Sequence, residues 1–103
     1  MNTPDNDDED RQAYLVHIDH AVDITFPAKQ VCELADGLYL VVSALTRSRL
    51  YHRIKRQLPP GTAFLVAPLA DAPKFKGMSR GALAFTRAVW PVSQHAKRPT
   101  APR

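Results

Sequence analysis

Two apolar runs, LYLVVSAL at residues 38–45 and TAFLVAPL at 62–69, bracket the segment RSRLYHRIKRQL at 47–58. Each run is almost continuous in apolar side chains, the composition of a strand covered on both faces. The bracketed segment has a different period. At about 100° per residue, Leu50, Tyr51, Ile54 and Leu58 share one arc of a helix, while Arg49, Arg53 and Arg56 occupy the opposite arc with His52 at its margin. Thr46 offers an N-cap just before it, and Pro59-Pro60-Gly61 stops it. Strand, amphipathic helix and strand in that order require a sheet for the helix to lie on. The short turn into the second run predicts a right-handed crossover that leaves the two runs parallel in one sheet.

The other segments supply neighbours for that unit. Along Gln12 to Ile18, Tyr14, Val16 and Ile18 alternate with Leu15 and His17, the period of a strand. Val22 to Phe26 alternates Val22, Ile24 and Phe26 with Asp23 and Thr25, which predicts a short edge strand closed by Pro27. Gln30 to Leu34, followed by Ala35-Asp36-Gly37 and the first apolar run, has the pattern of a hairpin over 30–45 that turns at Asp36 and Gly37. A short helix over 28–35 is the alternative, because AKQVCELA contains good helix formers. Ala82, Ala84 and Ala88 favour a second helix over 80–90, with Ser79 as its N-cap, above a strand. The expected fold is an α+β two-layer sandwich: a mixed sheet of about four to five strands with the helices 47–58 and 80–90 on one face.

The stretch YLVHID, residues 14–19, resembles the first strand of a small CRISPR-associated nuclease family with a ferredoxin-like fold, in which an apolar strand ends in an aspartate. The resemblance covers six residues and makes a ferredoxin-like variant the alternative architecture. That fold places a helix between its first two strands, whereas here only residues 20–29, with Pro27 among them, separate the two segments. The family's metal-dependent activity is therefore not carried over to Asp19.

A chain of 103 residues makes one domain. Residues 11–90 hold the apolar pattern and form the globular part. Residues 1–10 are an acidic tail and residues 91–103 a basic, proline-containing tail, both expected to be disordered. The first ten residues have neither the basic nor the apolar region of a secretion signal, the lone Cys32 has no partner for a disulfide, and no apolar run approaches the roughly 20 residues of a membrane span. A soluble protein of the reducing cytoplasm is expected, with no membrane partner.

Charge is distributed unevenly. Five of the ten acids lie in the first ten residues, so the remainder sets 14 Lys and Arg against five acids, a net +9. A body of that charge attracts nucleic acid, another polyanion or an acidic protein surface. The helix 47–58 contains no acid, so its arginines at i, i+4 and i+7 repel one another unrelieved. Guanidinium forks suit phosphate geometry. The expected polyanion-binding set is Arg49, His52, Arg53, Lys55 and Arg56 on the helix, joined by Lys74, Lys76 and Arg80 from the loop DAPKFKGMSRG.

Other chemistry has little support. His17, Asp19 and His20 are the one candidate metal set, and they converge only if the chain turns at Asp19. No serine lies in a nucleophile-elbow pattern, and the body has few carboxylates to pair for acid–base work. No cofactor is implied. A non-enzymatic module that binds nucleic acid or another polyanion is the first expectation. A regulatory interaction module, able to form a homodimer and to recognise an acidic protein, is the alternative, and a metal-dependent phosphodiesterase is the remote one.

Overall fold

The strand over Gln12–Ile18, β1, turns Tyr14, Val16 and Ile18 to one side and Leu15 to the other, and it has a neighbour on each edge. In this computed structural model, which describes residues 11–19 and 23–91, three more strands join it: β2 (Gln30–Ala35), β3 (Leu38–Ser43) and β4 (Phe64–Pro68), in the order β2-β3-β1-β4. Among the described residues two helices complete the α+β fold, α1 over Arg47–Lys55 and α2 over Ala82–Val89. The tails 1–10 and 92–103 lie outside the described residues.

Every ladder is antiparallel, which corrects the mixed sheet. β3 and β4 do run parallel, since each is antiparallel to β1, but β1 lies between them. The two apolar runs and α1 are thus a split β-α-β unit, and the strand order is that of the ferredoxin-like alternative with no helix among residues 23–29. β1 and β3 are the interior strands, and Tyr14, Val16 and Ile18 are buried on one face of β1. β4, expected to be buried, is an edge strand with Leu65 49% exposed. Its chemistry fits that place. Asp19 N–H donates to Ala63 O (2.8 Å) and Leu69 N–H to Ala13 O (2.9 Å), so the odd residues of β4 face β1 and Pro68, which has no N–H, faces out.

The hairpin forms as expected, with Asp36 and Gly37 at the turn, and the helix over 28–35 is replaced by β2. Gly37 has φ +76°, the left-handed conformation that such a turn needs. No strand forms at 23–26, and Val22 lies outside the described residues. Ile24 and Phe26 still pack on the core, as their alternation implies, but the backbone of Thr25 bonds to the Gln57 carboxamide at 2.8 Å in both directions instead of to a ladder.

The helices lie against opposite faces of the sheet, not one. Leu50 and Ile54 of α1, both fully buried, pack with Tyr14, Val16, Ile18 and Val41. Ala82 of α2 packs with Leu34 and Leu40 on the other face, together with Phe75, Met78 and Phe85. The covered runs explain this: β3 sends Val41 to one side and Leu40 to the other, both 0% exposed, so each face needs its own cover. α2 also starts later than expected, at a Gly81 cap with φ +89°. Ser79, the expected cap, instead donates its hydroxyl to Glu33 O and its N–H to Leu34 O (2.7 Å), which fastens the loop to the outer edge of β2.

Tyr14 links the sheet to the start of α1, its hydroxyl donating to Leu45 O at 2.7 Å. Burial raises its pKa above the ordinary 10.0, and the nearby Arg47 opposes this with a smaller effect. A phenol kept neutral by the fold contributes stability that is complete below the unfolded pKa and lost as pH rises through the higher folded value. Urea unfolding should therefore show a steeper loss of stability above about pH 10 in the wild type than in Tyr14→Phe. Tyr39, raised by burial and by Glu33 and Asp36, contributes to both curves equally. Parallel alkaline limbs would remove Tyr14 as the source.

Candidate functional site

α1 is a nine-residue helix whose position is set at both ends. The Thr46 hydroxyl accepts from Arg49 N–H at 3.3 Å, and Gln57 and Leu58 continue the C-terminus as tight turns bonded to Ile54 O and Lys55 O. Buried Leu50 and Ile54 then fix its rotation about its axis. Arg49, His52, Arg53, Lys55 and Arg56 are consequently all exposed, as the sequence pattern requires. His52, Arg53 and Lys55 occupy the last turn, where cations complement the negative end of the helix dipole; Arg49 and Arg53, one turn apart, repel.

The arginine stripe is more than a convex face. Arg49, His52, Arg53 and Arg56 line an open concavity of about 320 Å³ floored by Leu45. A second concavity of about 300 Å³ adjoins it, sharing Leu45 and Arg53, and Lys29 stands on its far side. No carboxylate among the described residues lines either one. Lys55 is exposed on α1 but lines neither.

Lys29 was not legible as a member of this group. It sits in an irregular segment with no periodic signal, and four bonds bring it beside Arg53: the two of the Gln57 clamp on Thr25, the buried Ser43 hydroxyl donating to Pro27 O (2.8 Å), and Lys29 N–H donating to Val42 O (3.0 Å). Only the β2–β3 register and the packing of α1 create the juxtaposition.

The loop lysines are elsewhere. Phe75 and Met78 of DAPKFKGMSRG pack into the cluster opposite α1, so Lys74, Lys76 and Arg80 are exposed over the other face of the sheet. The structure does not bring them together with the stripe. Their stretch serves as a lid on the second core, anchored by Phe75, Met78 and Ser79.

Among the described residues no three His, Cys, Asp or Glu side chains are grouped as metal ligands. His17 and Asp19 are exposed at the end of β1, and His20 lies outside the described residues. No helix among the described residues is long and apolar enough to cross a membrane. Comparison with protein families, curated proteins and solved structures finds no match to this chain.

Proposed function

We propose that this protein is a small non-enzymatic module that binds nucleic acid or a similar polyanion on the α1 face, with Arg49, His52, Arg53 and Arg56 around one concavity and Lys29 extending the cationic rim. One observation carries the reading: five basic side chains from two separate segments converge on adjoining concavities that no carboxylate among the described residues lines. Like-charged groups held together cost free energy in the isolated protein, and neutralising several phosphates recovers it with release of counterions. A cytoplasmic location fits a chain with a single thiol. Lys74, Lys76 and Arg80 are outside the site in this reading.

The test is a salt titration of binding to mixed-sequence oligonucleotides. Arg49→Glu/Arg53→Glu should weaken binding at least about tenfold at low salt and make the log K against log salt slope shallower by about two units, one for each phosphate no longer neutralised. Lys74→Glu/Lys76→Glu should stay within about twofold of the wild type, the size of a long-range charge effect. Absence of binding at low salt, or equal losses in both variants, would overturn the proposal and favour an acidic protein as the partner.

A further inference from the structure

α1 has a second flank, toward β4, and its character is aromatic. The Tyr51 ring lies nearly parallel to Phe64, with centroids 4.8 Å apart and an interplanar angle of 14°, and His52 meets Tyr51 edge-on at 5.2 Å. Both Tyr51 and Phe64 are only half-buried. Together with Arg47, Ser48, Leu65 and Val66 they line an open concavity of about 480 Å³. His52 lines this concavity and the arginine-lined one as well, so the two adjoin at this side chain.

Beside this concavity β4 carries backbone groups that no ladder among the described residues uses. Because the odd residues of this edge strand bond to β1, the backbone N–H and C=O of Phe64 and Val66 point outward, away from it. An aromatic pair and a cation lining one open pocket, beside an edge strand whose outward backbone groups β1 does not use, match the requirements of a nucleobase. A base in a duplex is stacked on both faces and cannot enter. We infer that this pocket takes an unstacked base, and that single-stranded nucleic acid is the polyanion bound by α1, with phosphates on the Arg49–Arg53–Arg56 side and a base against Tyr51. The inference rests on the proposed polyanion reading and adds the class of polyanion to it.

Fluorescence anisotropy of the full chain at moderate salt, with a labelled single-stranded 12-mer and with unlabelled competitors matched in phosphate number, separates the two ideas. Unlabelled single strand should compete about tenfold better than duplex or inorganic polyphosphate, as one stacked base contributes a factor of about five to a hundred. Tyr51→Leu, which keeps apolar bulk but removes the ring, should lower single-strand affinity about tenfold and leave polyphosphate affinity unchanged. Equal competition by all three polyanions overturns this inference while leaving the polyanion proposal standing. Preference for duplex, or Tyr51→Leu weakening polyphosphate as much as oligonucleotide, also overturns it. If nothing competes because nothing binds, both ideas fail together. The competition on the wild type needs no variant, so a misfolded Tyr51→Leu would not rescue the inference.

Discussion

Gly37→Ala should destabilise the protein by about 2–5 kcal/mol, combining the cost of a left-handed alanine with that of overpacking. Gly37 is buried at the hairpin turn with φ +76°, and a Cβ there would stand 2.5 Å from the Ile18 carbonyl oxygen. The clash is with backbone, and that backbone cannot retreat freely. Ile18 N–H donates to Gly37 O at 2.8 Å, holding the turn against the end of β1 beyond the last register pair, His17 with Leu38. Moving Gly37 outward breaks this bond, and moving Ile18 shifts a fully packed side chain of the first core.

Gly61→Ala is the matched control. Gly61 has a similar φ of +86°, yet nothing lies within 4 Å of the Cβ it would gain, so only the backbone cost of about 1–2 kcal/mol applies. Chemical denaturation of the two variants isolates the close approach of turn and strand. Equal losses would show that conformation alone, not the approach to Ile18, makes Gly37 necessary.

Ile54→Ala should cost about 2–5 kcal/mol, the range for emptying a buried aliphatic site. For a domain of this size that corresponds to a fall in melting temperature on the order of 10 °C or more. Ile54 is fully buried between α1 and the β1–β3 face, one turn from the equally buried Leu50, and the cavity would be walled by Tyr14, Val16 and Val41 on a sheet that cannot collapse into it. Leu83→Ala, at an exposed position of α2, should change stability by less than about 0.5 kcal/mol. A thermal melt in which Ile54→Ala and Leu83→Ala behave alike would mean that α1 is not anchored as described.

Ile54 also joins stability to the candidate site. The rotation that buries Leu50 and Ile54 is the same rotation that turns Arg49, Arg53 and Arg56 outward, so the cationic stripe exists only while the core holds α1 in register. That much follows from the sequence, because one arc of the segment is apolar and the other basic, and water decides which faces in. The hairpin was equally local: Asp36-Gly37 between two apolar segments specifies the turn.

Other features depended on residues distant in sequence. Alternation at residues 22–26 correctly marks Ile24 and Phe26 as core, but whether such a segment joins a ladder depends on what satisfies its backbone, and Gln57, more than thirty residues away, does so at Thr25. Parallel orientation of β3 and β4 follows from the crossover, whereas the insertion of β1 between them does not, because periodicity specifies which side chains share a face and not which strand is the neighbour. Ser79 illustrates the same competition: a good capping residue by type, it bonds to β2 instead.

The α+β class, a helix that starts at Arg47 with apolar and cationic arcs, and the hairpin turn were thus legible in the chain alone, although the helix ends at Lys55 and not at Leu58. Tertiary structure alone decided that the two helices take opposite faces, that the lysines of DAPKFKGMSRG lie away from the arginines, and that Lys29 and the Tyr51–Phe64 pair stand at the edges of the stripe. The physical reason is that burial of apolar area is non-directional. It drives every apolar arc inward, and the choice among ways of doing so falls to strand order, register and a few long-range hydrogen bonds.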